Sequence, residues 1–256
     1  MKIKGLQLRV NAALVAAVLG TMTASSHSAP LQISSVISDT VAIEKIIRNY
    51  ILSNPEIVAE AISLIQEKKK LDETAADRHM LLENRKEIIY DPASPVAGNP
   101  NGDVSIVEFF GYRCGVCRQI HPIVNQLVKS DSNIRHVFKI WPILGPRSVL
   151  AGRAAIASRR QGKYHAFHKV MMETNSAFDE NAIMGMAESI GIDTALLRVD
   201  LFSAETDAMI SKNYALAEKL KLNGTPSFVI GDVLLRGARD LESLRRLVAA
   251  ARAKKK

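Results

Sequence analysis

Cysteine is nearly missing from this sequence, with two among 256 residues. That excludes a disulfide-rich scaffold and a four-cysteine zinc site, and leaves too few thiolates for an iron–sulfur cluster within one chain. Aromatics are scarce as well, at 5% with one tryptophan, and no arginine–aromatic interleaving is present. Nucleic-acid binding therefore finds no support. No apolar run reaches the roughly 20 residues that span a bilayer. The net charge of +8 is less than it looks. The first 29 residues hold Lys2, Lys4 and Arg9 and no acid, so the remainder carries +5, part of it in Arg252 and the terminal Lys254-Lys255-Lys256. Such a tail reads as a solvated terminus.

What is there is a globular composition. The AVILMFWYC set is 47% and charged residues 23%, enough for one large domain or two small ones with a proper core. Residues 1–29 read as a signal peptide: a basic start, the apolar run Ala12 to Leu19, then small residues from Ala24 to Ala29. Cleavage after Ser26, with Ala24 at −3, suits this pattern better than cleavage after Ala29. An exported chain meets an oxidising compartment, where disulfides form and persist. The two cysteines, Cys114 and Cys117, have no other thiol to pair with. They form a local disulfide, a dithiol, or a shuttle between the two.

Residues 30–86 read as helical. Ile43, Ile46, Ile47, Tyr50 and Ile51 share a face, Asn54-Pro55-Glu56 reads as a helix restart with Asn54 as N-cap, and Ile57, Val58, Ile62 and Ile65 continue the apolar surface. An isolated helix pair does not stand alone. The segment either packs against copies of itself or docks on its own domain.

Asp91 to Gly102, rich in Pro, Gly and Asn, marks a boundary, and Ile88-Ile89-Tyr90 before it reads as a first strand. Val104 to Phe110 reads as a buried strand, a helix begins at Cys114, and Ile134 to Ile140 reads as a second strand, parallel to the first. Helical pieces follow at about 147–160, 162–174, 179–190 and 204–220. Ser227 to Ile230 and Val233 to Leu235 form a hairpin at Gly231-Asp232, and a last amphipathic helix carries Leu241, Leu244, Leu247 and Val248. The class is α/β, in the order β-α-β, helical insert, β-β-α.

The chemistry gathers at Cys114. A helix N-terminus favours a thiolate, and Arg113 and Arg118 are expected to add positive charge. Cys114 is the expected nucleophile. Cys117, one turn on, is expected to resolve a mixed disulfide. Glu108 is a carboxylate in an apolar strand, six positions before Cys114. Burying an acid is costly unless it is used. It is expected to relay the Cys117 proton, unless it sits at a strand end and meets water or an arginine. Thr225-Pro226 precedes a strand, and the Thr225 backbone is the candidate for a substrate strand to pair with.

Phe109 to Cys117, the helical insert and Gly224-Thr225-Pro226-Ser227-Phe228-Val229 together resemble the DsbA-like branch of the thioredoxin superfamily, over about residues 86–250. Pro122 resembles that superfamily's helix-kinking proline. The N-terminal helices look like those of exported suppressor-of-copper-sensitivity C (ScsC) and Com1-type proteins. The resemblance implies a thioredoxin-like fold with a DsbA-type helical insertion at about 147–220 in a domain over 87–256. It implies a cis Pro226, protein substrates with cysteines, a membrane redox partner that resets the pair, and no cofactor. It also implies a possible trimer built through residues 30–86, with isomerase activity. In one respect the chain departs from the family. Gly115-Val116 stands where strongly oxidising relatives carry Pro-His, so isomerase or reductase chemistry is favoured over a strong oxidase. His121, one turn beyond Cys117, is weighed as a partial substitute for that histidine and, more simply, as a partly exposed helix residue.

A second reading is a Cu(I)-binding protein for copper tolerance, with Cys114 and Cys117 as soft ligands. Met171, Met172, Met184 and Met186 are expected to be core rather than ligands. A third reading is a structural disulfide in an inactive module, which has no need of a helix N-terminus or a substrate loop.

Overall fold

The computed structural model describes residues 33–254; the signal-like segment 1–29 and the last two lysines lie outside the described residues. The chain divides into two compact units between Ile62 and Ser63, and each is taken by itself.

The first unit contains α1 (Ile33–Ser53) and the start of α2 (Glu56–Glu83). Asn54 acts here as a helix end rather than the start expected from its N-cap pattern. Its amide Nδ2 donates to the Tyr50 carbonyl at 2.7 Å, satisfying one of α1's last carbonyls. From Thr40 to Ile62 no residue is buried, and Ile46 and Leu52 are each 68% exposed. Covering one such side chain is worth about 1.5–3 kcal/mol.

The second unit is built on a five-stranded sheet of order β1-β3-β2-β4-β5. The strands are β1 (Val96–Gly98), β2 (Val104–Phe110), β3 (Ile134–Ile140), β4 (Ser227–Ile230) and β5 (Val233–Arg236). β2 and β3 are parallel, joined through α4 (Gly115–Ser130), and place Glu108 level with Phe138. β4 runs antiparallel to β2 and sets Phe228 opposite Glu108. The β4–β5 hairpin turns at Gly231, whose φ of +62° suits the primed turns that two-residue hairpins use.

Alternation along β2 and β3 gives the sheet two covered faces. Val104, Ile106 and Ile134 pack with Val124 and Leu127 of α4 and Leu244 and Val248 of α10 (Leu241–Ala253). Towards the C-terminal ends of the same strands, Phe110, Phe138 and Ile140 pack with Tyr164, Phe167 and Met171 of the insert. The opposite face, with Val107, Phe109 and Val137, is covered by Leu81, Ile88, Leu216 and Leu220. The insert comprises α5 (Pro146–Ala157), a 3-10 turn (Ser158–Gln161), α6 (Tyr164–Glu173), α7 (Glu180–Ser189), α8 (Thr194–Asp200) and α9 (Ala204–Lys219). Met171, Met172 and Met184 are buried in its core and Met186 packs against it.

Two local expectations are corrected. Ile88-Ile89 is not a strand; it lies in the short helix α3 (Arg85–Ile89). An apolar pair is too short for periodicity to separate the two. The Pro/Gly-rich stretch, in turn, contains β1, which pairs antiparallel with β3. A buried ion cluster pins this edge. Lys139 of β3, 0% exposed, donates to Asp91 Oδ2 at 3.1 Å and to the Glu87 carbonyl at 2.7 Å. Lys212 reaches the other Asp91 oxygen at 2.8 Å. Burial pushes the Asp91 carboxyl up, but the hydrogen bond from Lys212 and the charge of Lys139 outweigh it and bring it down to about 2.

Candidate active site

β2 ends at Phe110, and the turn that follows closes with the Cys114 N–H donating to the Gly111 carbonyl at 3.0 Å. Cys114 is thereby the N-cap of α4, with φ −75° and ψ 110°. Its Sγ accepts the Cys117 backbone N–H at 3.2 Å, one of the four donors a helix start leaves unpaired. It also stands 3.3 Å from the Thr225 carbonyl, to which the thiol donates. The Thr225–Pro226 peptide is cis and leads into β4. Both cysteines are in the dithiol form, with Cys114 5% exposed and Cys117 fully buried.

The two thiols differ sharply. A hydrogen bond from the Cys117 thiol is the largest influence on Cys114. Burial opposes it, and the Thr225 side chain and the N–H groups of Cys117 and Val116 assist it, so Cys114 is brought from 9.0 down to about 6. Cys117 is pushed far up by the Cys114 thiolate first, then by burial, with the Glu108 charge adding. The expected help from arginines is corrected. The Arg113 guanidinium turns to the Leu144 carbonyl at 2.9 Å. That of Arg118 turns to the Thr174 carbonyl and to Asn175 Oδ1. Thiolate stabilisation here comes from short-range donors, not from a cation.

Glu108 lies inside the strand rather than at its end and is 1% exposed, and among the described residues its hydrogen-bond partner is a histidine rather than an arginine. Its Oε2 is 3.0 Å from His136 Nε2, and its Oε1 has no hydrogen-bond partner among the described residues. The fold thus brings Cys114, Cys117, Thr225 and Pro226 together at one helix start, with Glu108 on the strand behind. His121 does not serve Cys114. It is buried, its Nε2 pairs with Asn125 Nδ2 at 2.9 Å, and its ring faces that of His168. His136 and His168 went unnoticed in the sequence. His136 had a usable signal: it is a polar residue in an apolar strand at an alternate position, as Glu108 is. Among the described residues no group of three or more His, Cys, Asp or Glu side chains is placed to hold a metal ion.

A paired strand–helix junction carrying an acidic thiol and a buried one, faced by a cis-proline loop, defines a thioredoxin-like protein of the thiol–disulfide oxidoreductase class. The comparisons agree. The chain belongs to the thioredoxin family, whose model, "Thioredoxin", matches residues 90–250; a second model, "Copper resistance protein ScsC N-terminal domain", matches residues 39–70. A thioredoxin-like oxidoreductase from Silicibacter pomeroyi DSS-3 is 45% identical, covering 66% of this chain and 98% of its own, with TM-score 0.65. A linker-deletion variant of Proteus mirabilis ScsC is 25% identical, covering 89% of this chain and 99% of its own, with TM-score 0.65. The thiol:disulfide interchange protein DsbA of Bordetella parapertussis is 28% identical over 54% of this chain and 68% of its own. A Na(+)/H(+) antiporter NhaA 1 of Salinispora arenicola is 26% identical over 61% of this chain, which spans only 24% of that protein's length.

Proposed function

We propose that the chain is an exported thiol–disulfide exchange enzyme that acts on protein disulfides through Cys114 and Cys117. The observation that carries this is the Cys114 thiol, lowered to about 6 at a helix N-cap and standing 3.3 Å from the Thr225 carbonyl of the cis-proline loop. Cys114 attacks a substrate disulfide, and the Thr225–Pro226 backbone holds the substrate strand beside it. Cys117 then attacks the mixed disulfide, giving its proton to Glu108, and a membrane redox partner resets the pair. The Val116 side chain, standing where a histidine would, adds nothing to the support its N–H gives Cys114, so isomerase or reductase chemistry is preferred to strong oxidation. The basic, apolar and small-residue pattern of residues 1–29 supports export to the periplasm. The exposed apolar side chains of α1 support self-association, as a trimer, through residues 30–86.

A second reading, Cu(I) carriage by the same two thiols, is favoured by the copper-resistance family match at residues 39–70; copper is then cargo, held by thiolates of the right softness. Reduction of insulin and refolding of scrambled ribonuclease test the first reading. Both are expected to vanish in Cys114→Ser. Activity that survives the change sinks the exchange reading, and tight Cu(I) binding without turnover favours the second.

A further inference from the structure

At the far end of the sheet from the thiols lies a chamber that exchange chemistry does not use. The strand register places it. Ser227 pairs with Phe109, close to the cysteine turn, and Ile230 with Ile106, so the Gly231-Asp232 hairpin lies towards the start of β2. There α2, α3, the hairpin and the end of α10 line a cavity of about 200 Å³. Leu82, Ile88, Ile89 and Val229 give it apolar walls, and Leu82, 63% exposed, borders solvent. A second cleft of about 440 Å³ adjoins it, sharing Arg85 and Ile89 and adding Tyr90, Ser105 and Arg135.

The charges around the two clefts are unequal. Asp232 is the acid that lines the first, and it is already held by Arg78 at 3.1 Å and by Lys254 at 2.8 Å. Among the described residues no acid lines the second. Arg85 is exposed and common to both clefts, and its side chain has no hydrogen bond or ion pair among the described residues. Arg135 spends one guanidinium nitrogen on the Ile89 carbonyl at 2.6 Å, and its other donors have no partner among the described residues. An apolar chamber therefore adjoins a cleft with guanidinium donors to spare. Such forks match the oxygens of a carboxylate or phosphate. Small-molecule sites are built this way, largely apolar with a few placed polar groups, over about 300–1,000 Å³. The first chamber is smaller than that, which suits a slim alkyl chain rather than a ring system.

We propose that the two clefts form one binding site for a single-chain anionic amphiphile, with its alkyl chain in the apolar chamber and its carboxylate or phosphate head in the cleft that Arg85 and Arg135 line. The site goes beyond disulfide exchange and stands without it. Charge complementarity selects the occupant. A bare anion leaves the apolar walls wet, and a cationic chain meets two guanidinium groups of its own sign. An anionic chain removes apolar surface from water and answers both forks at once. Binding makes and breaks no covalent bond and leaves Cys114 and Cys117 untouched.

The test titrates the full mature protein calorimetrically with laurate and with dodecyl phosphate, each below its micelle-forming concentration. Saturable binding of one chain per protein is expected, and the tighter of the two probes tells a carboxylate head from a phosphate head. Affinity should rise about fourfold per methylene from hexanoate upwards and level off once the chamber is full. Dodecyltrimethylammonium, acetate and inorganic phosphate should not bind measurably. Arg85→Glu should weaken the preferred probe about 10- to 100-fold, as loss of a charge-assisted hydrogen bond does. Leu82→Asp should weaken it about tenfold. Both positions are exposed and distant from the thiols, so both variants should fold and keep wild-type exchange activity and Cys114 midpoint. Absence of saturable binding by either anionic chain overturns the site. So does equal binding of the cationic chain, inorganic phosphate that binds as tightly as dodecyl phosphate, or an affinity that Arg85→Glu leaves unmoved. If neither chain binds and Leu82→Asp lowers the mass seen by light scattering, the chamber is a contact between copies and the proposal falls.

Discussion

Alkylating the reduced protein with iodoacetamide across pH 4–9 should give a Cys114 midpoint near 6, against 9.0 for an ordinary thiol. At pH 7 the folded group is then roughly 90% thiolate and an ordinary one roughly 1%. The difference is worth about 1.4 kcal/mol to the folded, reduced protein at that pH. Its sign follows from the depressed value. The gain is full above pH 9, where the unfolded thiol also ionises, shrinks as pH falls, and is gone below about 6. Cys114 is 5% exposed, so water screens little of this. The same 1.4 kcal/mol would favour the reduced pair over the disulfide by about 30 mV. Cys117→Ala removes the largest lowering contact and should raise the midpoint by about one unit or more. Thiolate absorbance at 240 nm gives an independent reading. A wild-type midpoint at 8 or above, or a midpoint that Cys117→Ala leaves unmoved, would refute the short-range account of the acidity.

Glu108→Gln should leave the Cys114 midpoint within half a unit while slowing resolution of a mixed disulfide about 10- to 100-fold, as read by quench and mass spectrometry. Asp91→Ala leaves the wholly buried Lys139 without its counter-ion and should cost about 3–5 kcal/mol in urea unfolding. With Asp91 held near 2, its contribution should be full above pH 4 and lost as pH falls through 2, which Asp91→Asn would abolish from the acid-unfolding curve. Ile46→Glu with Tyr50→Glu places two charges on the exposed face of α1 and should convert a self-associating protein into a monomer by light scattering; a wild-type monomer ends the assembly idea.

Much of the catalytic scaffold was legible because its signals are local. β2 and β3 are seven-residue strands rich in β-branched and aromatic residues, and the sequence places both with their observed ends. Cys114 at a helix start, a polar residue inside β2, and Thr225-Pro226 before β4 are likewise short-range patterns. What was missed is short or long-range. β1 has three residues and α8 seven, too few for periodicity to register. The turning away of Arg113 and Arg118 depends on carbonyls 31 and 56 positions later. The Tyr112–His168 bond likewise spans 56 positions, and no sequence period connects its ends.

Thr225 lies 111 positions after Cys114, with the entire helical insert between them. The reactive sulfur therefore acquires one of its neighbours only when the chain beyond the insert has folded back onto β2. The local contacts to Cys117 and the helix start form within α4, whereas the Thr225 contact waits for the closing part of the topology.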